Sequence, residues 1–273
     1  MNIDSKLEDL KKSIKSRLYW DVAYGLEEIS HLKPSFFLDG LINENIEGNL
    51  DIDEVEEYID EFYSEKDLKK EIEDTDRIAV NIVKLLSEDN FKLDYNTFIL
   101  YHKLIFKNTT TIIPNGEIGK IRKCYITKKE DILDGESIYY ADYEDITIAL
   151  EYEFNKEKEV DYRLLNTNQI IERLSDFTYK IWQIHPFRDG NTRTTAIYIQ
   201  KYLEYIGIRY NASIFKYNSL YFRNALVRAS YFNYRNNIAP DKSYLIKFFE
   251  NLLMQKDNVL DNNELYINNN LKR

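Results

Sequence analysis

The nine residues His185-Pro186-Phe187-Arg188-Asp189-Gly190-Asn191-Thr192-Arg193 separate two helical patterns, one ending near Ile184 and one beginning near Thr192. Pro186 opposes continuation of the first helix, because its ring fixes φ and it has no N–H to donate. Asp189-Gly190-Asn191 is turn chemistry: Gly, and less often Asn, adopts positive φ at low cost. Successive N–H groups in such a turn form a concavity for anions. The free N–H groups and positive dipole end of the following helix add to it. Arg193, in the first turn of that helix, is a fixed cation suited to phosphate oxygens. Asp189 can hold Mg2+, which commonly takes one or two carboxylates together with substrate phosphates. His185 can accept a proton near neutral pH. Each residue alone has a plainer reading, as a helix end or an ordinary turn, and Phe187 belongs to the core either way. The combination is different: it arises by chance in a chain of this length on the order of once in a million or less. A base, a metal ligand, an anion nest and a guanidinium on one short loop make a phosphoryl-type site.

Outward from the loop the patterns are helical. Leu7, Leu10, Ile14 and Leu18 recur at helical spacing, and a break follows at Lys33-Pro34. Further helices are expected over Phe36 to Ile46 (stopped at Glu47-Gly48), Asp51 to Phe62, Asp67 to Leu86 and Tyr95 to Phe106. The later ones are expected over Asp145 to Phe154, Asn166 to Ile184, Thr192 to Tyr205, Ser219 to Tyr231 and Lys242 to Gln255. Between them, Ile121 to Thr127 and Ser137 to Tyr140 flank Asp134-Gly135 and read as a β-hairpin with a longish loop. The tail after Asp257 is Asn-rich and polar, and is expected to fray.

The bulk numbers agree with a mainly helical globular chain. Of 273 residues, 44% are hydrophobic and 31% charged, and Gly (8) and Pro (4) are too scarce for a turn-rich all-β fold. A net charge of -10 disfavours general nucleic-acid binding, yet allows one nucleotide in a locally positive pocket. The single cysteine, Cys124, excludes an internal disulfide and fits a reducing compartment. No run of about 18 apolar residues and no signal-peptide core is present, so a cytoplasmic protein with no membrane association is expected. Non-classical secretion as an effector would leave no mark of this kind.

The loop resembles the motif HPFx(D/E)GNxR of the Fic (Fic/Doc, fido-domain) family, both in residues and in its helix-loop-helix setting. Tyr101 to Phe106, Gly119 to Arg122, Arg223 to Ala229 and Tyr244 to Ile246 look like other parts of that domain. The resemblance implies a mainly α fold: an all-helical Fic core with one β-hairpin flap and additional N-terminal helices. It divides the chain into an N-terminal helical region (1–91), a core (92–256) with a flap at about 119–141 and the active loop at 185–193, and a polar tail (257–273). It also implies a nucleotidyltransferase, a protein adenylyltransferase that moves AMP from Mg-ATP to a Ser, Thr or Tyr hydroxyl of a target protein. His185 would deprotonate that hydroxyl, and Asp189 would bind Mg2+. Gly190, Asn191, Thr192 and Arg193 would hold the phosphates, and the flap near Cys124 to Thr127 would grip the target by strand addition. Tyr221 falls where the family packs a ring near the adenine. Ser230 falls where an Asn often contacts the base.

The same resemblance extends to Asn43-Glu44-Asn45-Ile46-Glu47-Gly48-Asn49, within about 38–49, which is similar to an inhibitory segment written (S/T)xxxE(G/N). Glu47 would be its glutamate. In the family that glutamate pairs with a second motif arginine, whose position is here Ala196, and Thr192 replaces a more frequent Gly. Two outcomes stay open: Glu47 still obstructs the site sterically or through other partners, or self-inhibition is weakened, which is slightly favoured; auto-AMPylation is compatible with either. Two alternatives stand beside transfer: removal of AMP by a phosphodiesterase using Glu47 to activate water, and a nucleotide-binding regulator without turnover. Homo-oligomers are compatible with the sequence.

Overall fold

The computed structural model describes residues 3–29, 33–65, 69–114 and 116–268. Ten α-helices and no strand occur among the described residues: α1 (Ile3–Glu28), α2 (Phe36–Glu47), α3 (Ile52–Glu65), α4 (Lys70–Ser87), α5 (Tyr95–Ile105), α6 (Ile146–Lys158), α7 (Thr167–Ile184), α8 (Asn191–Tyr205), α9 (Ser213–Ser230) and α10 (Ser243–Met254). The ends follow local chemistry. Ser35 accepts from Leu38 N–H at the start of α2, and Asp94 accepts from Thr97 N–H at the start of α5. Asn166 and Gln169 form a reciprocal capping box on α7. Gly48, with φ 80°, ends α2 in the left-handed conformation that favours glycine. The start expected at Asp67 lies outside the described residues. The start expected at Ser219 is instead a kink at Asn218, with the helix reaching back to Ser213.

Helix α8 runs through the middle, with nearly every residue from Asn191 to Leu203 buried. It packs on α5, α7 and α4. Phe98, Phe154, Phe177, Phe187, Tyr198 and Tyr202 are buried there. Their rings meet largely edge to face, as Phe154 and Phe177 do at 5.3 Å and 87°. Burying each such ring is worth about 1.5–3 kcal/mol, and the edge-to-face geometry adds roughly 0.5–1.5 kcal/mol per pair. This core fixes both ends of the 185–190 loop.

Helix α1 lies across α9 and α4. Gly25 makes that approach possible: a Cβ there would stand 2.3 Å from the Phe215 carbonyl oxygen and 2.6 Å from Lys216 Cα. The close contact carries the C-terminal end of α1 to the loop.

The hairpin expected between α5 and α6 does not form a ladder. Its tip closes through a turn, with Glu130 N–H donating to Glu136 O at 2.9 Å around the 3-10 turn Asp131–Leu133. Below the tip the two arms are bridged by a side chain instead of by each other. The Arg122 guanidinium donates to Cys124 O on one arm and Ala141 O on the other. The Arg122 N–H is spent on Pro186 O at 2.8 Å. The flap is thus an extended loop clasped to the active loop. The tail also departs from expectation: Leu265 is buried, Ile267 N–H donates to Ile132 O, and Arg228 donates to Leu265 O. Residues 269–273 lie outside the described residues. No helix of the described residues is long and apolar enough to cross a membrane.

Candidate active site

Helix α7 stops at His185, which takes φ 52° and ψ 60°, with its N–H closing on Trp182 O. This turn points the imidazole inward, where it is almost fully buried against Tyr140 (ring centroids 4.1 Å) and Trp182 (5.4 Å). His185 Nδ1 lies 3.2 Å from Trp182 O. A carbonyl can only accept, so Nδ1 carries the proton and Nε2 presents its lone pair. Nε2 is buried with no hydrogen-bond partner. Burial, aided by the nearby Lys128 charge and then by Arg122 and Arg223, holds the imidazole well below the usual histidine range. His185 is therefore a neutral base at physiological pH.

The loop behind it is knitted by its own side chains. Asn191 Oδ1 accepts from Phe187 N–H (3.0 Å), and its amide donates to Phe187 O (2.7 Å). That amide is committed to loop shape, while Asn191 itself still lines the cavity on this loop. Phe187 stacks on His102 at 3.8 Å and 16°. His102 Nδ1 accepts from Gly119 N–H (2.9 Å), which leaves Nε2–H to donate to Asp189 O (3.1 Å). Burial pushes the His102 imidazole down to about 4, so the ring stays neutral and its two hydrogen bonds fix the tautomer. Gly190 has φ 77°, and a Cβ there would meet the Phe106 ring at 2.3 Å. Thr192 accepts from Trp182 Nε1 at 3.0 Å.

A cavity of ≈ 200 Å³ opens on this loop. Gly190 to Arg193, the first turn of α8, form one wall, where the helix N–H groups lack partners one turn earlier. His185, Trp182 and Tyr140 form another, and Lys128, Glu130, Asp189, Arg223 and Ile29 complete it. Asp189 is more than half exposed, accepts from Gly190 N–H at 2.7 Å and lies 3.5 Å from Lys128 Nζ. One exposed carboxylate beside a phosphate nest is the donor set Mg2+ uses when substrate supplies the remaining oxygens, so Asp189 fits such an ion. Among the described residues there is no cluster of three metal-ligating side chains.

The structure brings a glutamate to the loop from α1. Glu27 Oε2 lies 3.3 Å from Arg193 Nη2, with both side chains buried. Burial pushes the Glu27 carboxyl up to about 7 against the pull of Arg193. Arg193 also lies 5.7 Å from the Phe106 ring centroid. Glu47 is placed elsewhere. It is exposed at the end of α2, contacts Asn49 at 3.4 Å, and lines a cavity beside Asp9, Lys12, Ser13 and Ser16 of α1. Glu27 is at least eleven residues further along that helix, about 16 Å at the α-helical rise. Tyr221 and Ser230 are also not brought to the cavity. Tyr221 is buried within the α9 packing, and Ser230 donates to Leu226 O one turn back. Ala196 is fully buried.

Lys128, Tyr140 and Arg223 in the cavity wall, and Glu27 against Arg193, are residues of the candidate site that sequence reasoning did not single out. For Glu27 a signal was present: Gly25 sits inside a helical stretch, at a cost of about 1 kcal/mol relative to Ala, which marks a close approach of another backbone. Lys128 and Arg223 carried no local signal, because surface cations are common and only the fold aims them inward.

A buried neutral imidazole, a helix N-terminus and converging cations thus meet at one cavity of a helical protein. The Fic/DOC family model matches residues 92–203, the span from just before α5 through the flap and loop to the end of α8. The chain carries a Fic domain. No curated protein and no solved structure matches it at a significant level.

Proposed function

We propose that this Fic-domain protein is an adenylyltransferase that moves AMP from ATP onto a hydroxyl of a target protein. The observation that carries the reading is the His185 imidazole, fixed by Trp182 O so that an unpartnered, buried Nε2 faces the phosphate cavity. In the step, the target hydroxyl gives its proton to Nε2 and its oxygen bonds to the α-phosphorus. The bond from that phosphorus to the bridging oxygen breaks, and pyrophosphate leaves. The first turn of α8 and Arg193 stabilise the charge on the phosphoryl oxygens, as preorganised donors do best where water is excluded. Asp189 would hold a Mg2+, which neutralises phosphate charge when bound.

The resting site is self-restrained in this reading. Its ≈ 200 Å³ is below the roughly 300 Å³ at which ligand pockets begin. Ile29, just past α1, forms part of the wall, and Glu27 engages the arginine that a phosphate needs. With no arginine at position 196, the restraint falls on Arg193 itself.

The test is incubation with α-labelled ATP and Mg2+, alone and with lysate, for the parent, Glu27→Gly and His185→Ala. Label on protein that rises in Glu27→Gly and vanishes in His185→Ala is expected. No label on any protein, even with Glu27→Gly, would sink the proposal.

A further inference from the structure

The helix that follows the active loop presents a single cation to it. Arg193 is in its first turn, and Ala196, the next residue on that face, is fully buried. A nucleoside triphosphate brings several negative charges, and Arg193 is already in a buried pair with Glu27. Beyond the helix N-terminus and a Mg2+ held at Asp189, any further protein cation for the phosphates comes from other elements.

Two elements supply it. Arg223 reaches the cavity from α9, and Lys128 reaches it from the flap. Arg223 is the better placed. Its Nη2 lies 2.7 Å from Glu130 Oε2, and its Nη1 donates to Asn224 Oδ1 at 3.3 Å. Glu130 is almost fully buried, and burial raises its carboxyl while Arg223 opposes that rise. The pair holds a planar guanidinium at the cavity wall, a quarter exposed. Such a fork has five N–H donors, more than these two contacts consume, and it matches phosphate oxygens in geometry. Lys128 stands two residues before Glu130, with Nζ 3.5 Å from Asp189, as a flexible point charge beside it. The same helix sends neither Tyr221 nor Ser230 to the cavity, so its lining contribution is Arg223.

We propose that Arg223, positioned by Glu130, binds the terminal phosphates of the nucleotide donor and so makes the site select triphosphate over monophosphate. The proposal rests on the reading of the cavity as a phosphate site. Arg223 is a binding residue in this scheme, acting on the leaving group and not on the proton transfer at His185.

Calorimetry of the full chain with Mg2+ and three probes separates the cases: ATP, AMP and inorganic triphosphate. It is run in the Glu27→Gln background, so that Arg193 is released, with and without Arg223→Met. The expected result is ATP and triphosphate binding weakened roughly ten- to hundredfold by Arg223→Met, the effect of losing charge-assisted hydrogen bonds. AMP binding should stay within about twofold. Arg223→Lys should keep part of the ATP preference, and it serves alone if the methionine variant fails to melt as a folded protein. ATP binding unchanged by Arg223→Met, or AMP weakened as much as ATP, overturns the proposal while leaving the phosphate reading intact. A Glu27→Gln parent that binds none of the three probes overturns both.

Discussion

Two helices of the N-terminal region end on glutamates, α1 at Glu27-Glu28 and α2 at Glu47 before Gly48, and they do opposite things. The end of α2 has every local mark of a motif, yet those marks are consumed by ending the helix. Gly48 takes φ 80°, and its N–H closes on Asn45 O, with Asn49 N–H on Glu44 O. Glu47 is left in solvent. The end of α1 has no conspicuous signature, but Gly25 seats the helix on α9 and Glu27 is carried, fully buried, to Arg193. A carboxylate acts on a site through burial and aim, and neither is set within a few residues of chain.

The comparison is read against a floor. His185→Ala removes the base, and labelling from α-labelled ATP should fall at least a hundredfold, the scale of general-base catalysis. Label retained in that variant would break the whole scheme. Next in size is the contrast between the two glutamates. Glu27→Gly or Glu27→Gln should raise labelling and ATP affinity on the order of tenfold or more by releasing Arg193, whereas Glu47→Gly should change them less than about twofold. The reverse ranking would return the inhibitory role to α2.

A smaller effect is expected from Gly25→Ala. Its Cβ would collide with the α9 backbone, so α1 must lift, and with it Glu27. Labelling should rise several-fold while the melting temperature falls, as overpacking costs roughly 1–3 kcal/mol. A lower melting temperature with unchanged labelling would separate α1 packing from control of the site.

The pH dependence sharpens the same contrast. The Glu27 carboxyl, pushed up to about 7, is ionised above that pH and neutral below it. Its fold-dependent stabilisation is fully present below the ordinary carboxylate range and lost as pH rises through about 7. As pH falls from 8 to 6, Arg193 loses its ionised partner, while His185 stays neutral because its imidazole is held well below the usual range. ATP affinity should therefore tighten a few-fold over that interval, and Glu27→Gln should abolish the trend. Equal slopes in both proteins would remove Glu27 from the account. Smallest is Gly48→Ala, which forces an L side chain to φ 80°. A loss of about 1 kcal/mol in urea unfolding, with labelling unchanged, is expected of a helix cap and nothing more.

The residues explain why some features could be read early and others could not. His185 to Arg193 were legible because the chemistry sits on consecutive residues, and a turn fixes their relative geometry without help from the rest of the chain. The helices were legible from apolar spacing and caps, to within a few residues at most ends. The flap was misread as a hairpin because alternation marks extended chain but not its partner. Here Arg122 bridges the carbonyls of Cys124 and Ala141, and the active loop takes the Arg122 N–H. The Asn191 amide could serve a ligand or the loop, and its pairing with Phe187 is a matter of loop closure.

By itself the sequence determined a helical chain with a base, a carboxylate, a guanidinium and an anion nest on one loop, since all of these depend on neighbours a few bonds apart. Only the tertiary structure decided what faces that loop. Glu27 arrives from 166 residues away to meet Arg193. His102 links Gly119 to Asp189, and Arg223 and Lys128 converge from separate elements, while Glu47, Tyr221 and Ser230 are turned elsewhere. The reason is physical: electrostatic control of a buried group requires desolvation and contact at a few ångströms, and both come from helix packing, which no local stretch of sequence encodes.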